Sequence, residues 1–101
     1  MYRNDNILKL AQHSPCQLCG IEDGTIVAAH SNQLRDGKGR GLKSSDAAIA
    51  FLCYKCHTEI DQGHELTKQQ RFYIWDEAHR KTMRWLIEKE YLIVNSKLQK
   101  L

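Results

Sequence analysis

Along this chain the spacing of apolar positions changes period several times. Ile7, Leu8, Leu10 and Ala11 recur at helical spacing and predict a short helix over residues 6–12. Residues 25–30, Thr-Ile-Val-Ala-Ala-His, are β-branched and apolar and read as a strand. A second run, Ala48-Ile49-Ala50-Phe51-Leu52, reads as the strand that returns beside it, and residues 54–60 suit a short helix ending near Gly63. From Thr67 the helical period dominates. Phe72, Trp75, His79, Thr82 and Leu86 share one stripe, flanked by Ile74, Ala78 and Trp85. The opposite face sets Asp76 against Arg80, Glu77 against Lys81 and Arg84 against Glu88, all four residues apart, and reads as a solvated surface rather than a nucleic-acid contact. Residues 91–94 fit a last short strand or a continuation of the helix, and 95–101 a tail. The expected class is α+β. One domain spans 1–101, with a core over about 14–64 and a helical extension over about 67–94.

A chain of 101 residues that is 42% hydrophobic and 27% charged fits one small globular domain. A core of that size is modest and is commonly supplemented by a structural metal. The longest apolar run, residues 47–53, is far too short to cross a bilayer, which argues against a membrane partner. The start, Met-Tyr-Arg-Asn-Asp-Asn, shows no apolar segment behind a basic end, so the expected location is the cytoplasm. In a reducing compartment paired cysteines are expected to bind metal rather than to form disulfides.

Charge adds a second feature. The chain holds 15 Lys and Arg against 12 Asp and Glu. Residues 31–45 carry Arg35, Lys38, Arg40 and Lys43 against Asp36 alone, so the whole net charge of +3 sits in this segment. Gly37, Gly39 and Gly41 are interleaved with these cations. Such a loop suits contact with a polyanion, since glycines allow close backbone approach and cations neutralise phosphates. The same composition also describes a solvated, flexible loop.

The cysteines are the strongest chemical signal. Cys16-Gln-Leu-Cys19 and Cys53-Tyr-Lys-Cys56 supply four soft thiolates, the number a closed tetrahedral zinc site takes. Residues 20–52 between the pairs exceed the spacing of a compact zinc ribbon and leave room for a β-hairpin whose two ends the zinc would clamp. Cys53-x-x-Cys56-His57 also matches a covalent haem-attachment motif, with Met83 as axial partner. That reading needs export and leaves Cys16 and Cys19 without a role. A redox dithiol is disfavoured because neither pair sits in a βαβ pattern.

If the four thiolates close a zinc site, His57 is left beside it with a free imidazole. His30 ends the first strand, Asp46 precedes the second, and Asp61 lies one helical turn after His57. His64 follows Gly63, His13 precedes Ser14-Pro15 and reads as exposed, and His79 lies in the apolar stripe as a hydrogen-bonded core residue. A strand histidine facing a helix histidine across a hairpin suits single-metal phosphodiester chemistry.

Val27-Ala28-Ala29-His30, the Gly-Lys-Gly-Arg-Gly loop, Ser45-Asp46 and Cys53-x-x-Cys56-His57-x-x-Ile60-Asp61 together resemble the HNH (His-Me finger, ββα-metal) nucleases. More specifically, they resemble a small nuclease family carried by phages and prophages near recombination genes. The resemblance covers about residues 16–64 and implies a zinc-stabilised ββα-metal domain and hydrolysis of DNA in recombination or processing, in a bacterial host's cytoplasm. It implies His30 as general base on water and His57 as ligand of a second divalent cation, Mg²⁺, Mn²⁺ or Zn²⁺. DNA is the implied partner, with a recombination protein as a further candidate, and Arg35, Lys38, Arg40 and Lys43 are the expected DNA contacts. Ala29 stands where many such nucleases carry an Asp or His ligand, so the second ligand is sought at Asp61 or His64. Asp46 either orients the His30 imidazole or serves as a turn residue. A non-catalytic zinc-dependent nucleic-acid-binding module is the alternative function.

Overall fold

The computed structural model describes residues 1–95. Helix α1 (Asp5–Lys9) starts at Asn4, whose side-chain oxygen accepts the amides of Asn6 and Ile7, and tightens into a 3-10 turn over Leu10–His13. It stops there because Pro15 pushes Ser14 into extended backbone. Strands β1 (Val27–His30) and β2 (Ile49–Leu52) form one antiparallel pair, with His30 opposite Ile49 and Val27 opposite Leu52. Helices α2 (Tyr54–Gln62) and α3 (Lys68–Glu88) follow. A capping box sets the start of α3: Thr67 and Gln70 each accept the other's backbone amide. Among the described residues, no helix is long and apolar enough to cross a membrane.

β1 begins at Val27, two residues later than expected, because Asp23 and Thr25 are committed elsewhere. The Asp23 carboxylate accepts both the amide and the hydroxyl of Thr25, and the Thr25 oxygen accepts the amide of Tyr54. Residues 91–94 form neither a strand nor more helix. Glu90 takes a left-handed backbone, at φ 62°, and the amides of Tyr91 and Leu92 fold back onto the Leu86 carbonyl. That turn lays Tyr91 against Trp85, with ring centroids 5.3 Å apart. The expected tail beyond Asn95 lies outside the described residues.

All four residues of β2 are buried, and they form the centre of the core with Ala29, Trp75, Ala78 and Leu86. Ser31 donates to the Ala48 carbonyl, so residues 48, 50 and 52 face β1 while 49 and 51 turn their backbone groups the other way. Three of these outward groups have partners. The Phe51 amide donates to the Thr82 hydroxyl at 3.0 Å, and the Phe51 carbonyl accepts the Gln17 amide at 2.8 Å. The Ile49 carbonyl accepts from His79 Nδ1 at 2.6 Å, which fixes that nitrogen as the protonated one. The Thr82 hydroxyl in turn donates to the Ala78 carbonyl. The helical stripe read from sequence thus does more than pack: two of its members bond backbone groups on the outer edge of β2.

Thr82→Val keeps the shape but leaves the Phe51 amide buried without an acceptor. It is expected to lower stability by about 1–3 kcal/mol. Thr82→Ser keeps the hydroxyl and loses one methyl, about 0.8 kcal/mol. Denaturant midpoints of the two variants check this order, and equal losses would show that the hydroxyl has no such role.

Candidate functional site

The cysteine pairs have the same local geometry. In each, the sulfur of the first cysteine accepts the amide of the second at 3.5 Å: Cys16 from Cys19, and Cys53 from Cys56. Gly20, at φ 81°, turns the first knuckle so that its amide reaches the Cys16 carbonyl. Cys53 is also the N-cap of α2, so the second knuckle is the first turn of that helix. All four thiols are free, and their sulfurs lie within 4.8 Å of one another, with Cys19 and Cys53 at 3.8 Å. Four sulfurs about 2.3 Å from a tetrahedral zinc stand about 3.8 Å apart, so the set fits zinc.

The protonation chemistry agrees. Burial pushes the Cys16 thiol up, but amides of Cys19, Cys53 and Leu18 outweigh it and bring the group down to about 7. Burial raises Cys53 and Cys56, and the neighbouring thiols raise Cys56 further. Crowded sulfurs of this kind ionise together only beside a cation. Zinc held by four thiolates has no open position, so its contribution is to folding.

On the far side of the hairpin, His30 leaves β1 with its side chain 16% exposed, and its Nε2 lies 2.7 Å from Asp46 Oδ1. A carboxylate only accepts, so Nε2 carries the proton and Nδ1 of the neutral ring is the free acceptor. Asp46 is buried, and its partners use both oxygens. Arg3 donates to Oδ1 at 3.2 Å, and the Asn4 amide donates to Oδ2 at 2.7 Å. Arg3 also donates to the carbonyls of Lys43 and Ser44, which pins the N-terminal segment across the loop. Burial alone would raise the Asp46 carboxyl; the bonds from His30, Asn4 and Arg3 outweigh it and lower the group to about 2. Both roles expected for Asp46 are present: it bonds the His30 imidazole, and it lies in the turn that the Ala48 amide closes on the Ser45 carbonyl.

His57 and Asp61 meet on one face of α2, with Nε2 and Oδ2 3.0 Å apart. This bond raises the His57 pKa and lowers that of Asp61. Asn32 donates to the other Asp61 oxygen at 2.8 Å and ties the exit of β1 to α2. His64 lies past Gly63, exposed beside Glu59 and Glu65. Among the described residues, the four cysteines are the only set of three or more His, Cys, Asp or Glu side chains whose ligand atoms converge. His64 is therefore not gathered with His57 and Asp61 into a ligand set. The physical reason is that α2 ends at Gly63 and the chain leaves the helical face they share.

The basic segment is ordered at its start. Arg35 pairs with Asp76 of α3 at 2.8 Å, Gln33 donates to the same carboxylate, and Ser31 donates to Asp36. Asp76 is thus taken by the loop and not by Arg80, which bonds Glu77 instead. Gly39 and Leu42 exchange backbone bonds around Arg40-Gly41, with Gly41 at φ 65°, so Arg40 stands at the tip of a tight turn. Among the described residues, the side chains of Lys38, Arg40 and Lys43 form no ion pair.

Sequence reading missed Arg3, Asn4 and Asn32. Asn32 follows His30 by two, the strand period, and that spacing was the one available signal. Compared with protein-family models, curated proteins and solved structures, the chain matches none.

Chelating the metal is expected to unfold the domain. Structural zinc contributes on the order of 10 kcal/mol, as much as a small domain's whole stability. Circular dichroism with and without chelator, beside a zinc assay giving one ion per chain, checks this; Cys53→Ser should lose both zinc and fold. The Asp46 carboxyl is held at about 2 against 3.8 unfolded, so its stabilisation is complete above about pH 4 and is lost as pH falls toward 2. Asp46→Asn should flatten that part of the curve. Parallel thermal-midpoint profiles from pH 2 to 6 would show that Asp46 is not the group responsible.

Proposed function

We propose that this chain is a metal-dependent DNA endonuclease of HNH type that hydrolyses phosphodiester bonds in phage or prophage DNA recombination or processing. The observation that carries this reading is the His30–Asp46 pair: an imidazole with a fixed tautomer, held by a buried carboxylate, whose other nitrogen is free to accept a proton. In this reading His30 Nδ1 takes a proton from water as its oxygen bonds phosphorus and the bond to the 3′ oxygen breaks. Asp46 keeps the ring oriented and stabilises the imidazolium that forms. His57 and Asp61 hold a divalent cation, which when bound supplies charge to the phosphate and the leaving oxygen. For both side chains to hold the same cation, the 3.0 Å contact between His57 Nε2 and Asp61 Oδ2 gives way to it. Lys38, Arg40 and Lys43 draw the DNA backbone to the loop.

A non-catalytic nucleic-acid-binding module is the second reading. It is favoured by Ala29, buried in the core where many such nucleases carry a metal ligand. The test is cleavage of supercoiled plasmid by zinc-loaded protein with Mg²⁺, Mn²⁺ or added Zn²⁺. His30→Ala is expected to lower cleavage by about 100-fold or more, as loss of a general base does, while zinc content and far-UV circular dichroism are kept and the thermal midpoint falls because Asp46 loses one partner. DNA binding without cleavage in any of these cations would favour the second reading.

A further inference from the structure

A cleft of about 430 Å³ opens between the exit of β1, the C-terminal half of α2 and the first turns of α3. Asn32, Asp61, Gln62, Lys68, Arg71 and Phe72 are among the residues that line it. Asp61 on its wall is the carboxylate bonded to His57, so the cleft begins where the helix histidine's site ends. It lies on a different surface feature from the Gly39–Leu42 turn of the basic loop, and its cations come from α3.

Arg71 is the informative residue. One of its terminal nitrogens donates to the Asp61 carbonyl at 3.2 Å, while its Nε is buried from solvent and has no partner. The other terminal nitrogen has no partner either and is not sealed from solvent, so it is the donor that Arg71 can offer to the cleft. Lys68, one turn earlier, lies 5.6 Å from the centre of the Phe72 ring and brings a second cation to the same wall. Against these two positive charges the lining sets one carboxylate, Asp61, whose oxygens are already occupied by His57 and Asn32. Amides at Asn32 and Gln62 add donors and acceptors. A guanidinium with a free terminal nitrogen, a second cation and amides in a half-open cleft together suit an oxyanion with several acceptor oxygens.

We infer that this cleft is a phosphate subsite in which Arg71 and Lys68 hold a backbone phosphate of the DNA strand next to the one at the histidines. This inference rests on the nuclease reading for its ligand and deepens it: the strand runs from the histidine site toward α3. Arg71 gives a directional bond through its free terminal nitrogen, and Lys68 adds charge without a fixed geometry.

The test uses full-length, zinc-loaded protein and a fluorescein-labelled 12-nucleotide single strand and its duplex, with binding followed by anisotropy across a salt series. The His30→Ala background keeps the probe intact. Lys68→Gln is exposed and is not expected to disturb folding; Arg71→Gln is checked by its thermal midpoint, and Lys81→Gln on the exposed face is the control. Each cleft variant should weaken binding and lower the salt slope by roughly 0.7 on the single strand or roughly 0.9 on the duplex, the value for one lost phosphate contact. Lys81→Gln should change neither. In the His30 wild-type background the same cleft variants should lower plasmid cleavage in step.

Failure of the two ideas is distinguishable. DNA binding that depends on Lys68 and Arg71 in a protein that never cuts supports the subsite and removes the nuclease. Cleavage and binding unaffected by Lys68→Gln, with Arg71→Gln folded and equally unaffected, overturn the subsite and leave the nuclease standing. Wild-type protein that binds neither probe at low salt also overturns it. Inorganic phosphate that displaces the strand at equal phosphate concentration would show a site for free phosphate and overturn the strand assignment.

Discussion

The convergence of four sulfurs is the constraint on which the remaining architecture depends. A two-stranded sheet is marginal by itself, and this one has only four residues in each strand. The first knuckle is bonded to β2 through the Gln17 amide, and the second is the opening turn of α2. Bringing the knuckles together therefore fixes where β2 ends, where α2 begins and how far the helix lies from the sheet. Thr25, accepting the Tyr54 amide, adds a second tie across the same junction. The position of His57 relative to the strands follows from a cluster in which it takes no part.

The two histidines are held by carboxylates in opposite environments. Asp46 is 1% exposed, and the imidazole, guanidinium and backbone amide around it share its oxygens. Exchanging any of those contacts for water means exposing a buried charge, so the pair behaves as a fixed element. Asp61 is 36% exposed, and its partners are a histidine and an amide on the surface. Those bonds can be traded for a ligand at little cost, because solvent already reaches the group. The rigid pair suits orientation of a proton acceptor and the exchangeable pair suits capture of a cation. In the proposed reaction His30 and His57 have these two separate tasks.

Much of this was legible in the sequence because it is local. The stripe of Trp75, His79, Thr82 and Leu86 has the helical period, the cysteine pairs have their fixed spacing, and Gly63 marks a helix end. Long-range polar contacts left no such trace. Arg3 and Asn4 reach Asp46 from the far end of the chain, and nothing periodic links them. Asp76 was assigned to Arg80 by the spacing of four. Surface pairs of that kind contribute only a few tenths of a kcal/mol, so Arg35 and Gln33 together displace it. Thr82 and His79 look like ordinary members of an amphipathic face; which of their atoms meets a strand is decided by β2's register. The strand boundary at Val27 and the turn at Glu90 are local but leave no periodic mark: one is an Asp23–Thr25 side-chain turn, the other a non-glycine residue in left-handed backbone.

The outer edge of β2, most of whose backbone groups are bonded, bears on how copies of this chain meet. Ile-Ala-Phe-Leu is the kind of apolar, uncharged segment that readily templates a strand from another molecule. Here three of the backbone groups such a strand would need are already bonded to Gln17, His79 and Thr82. Growth of the sheet from that side would require α3 to be lifted away. In the folded chain, recognition along this flank is therefore left to side chains, and the segment most prone to self-association is withheld from it.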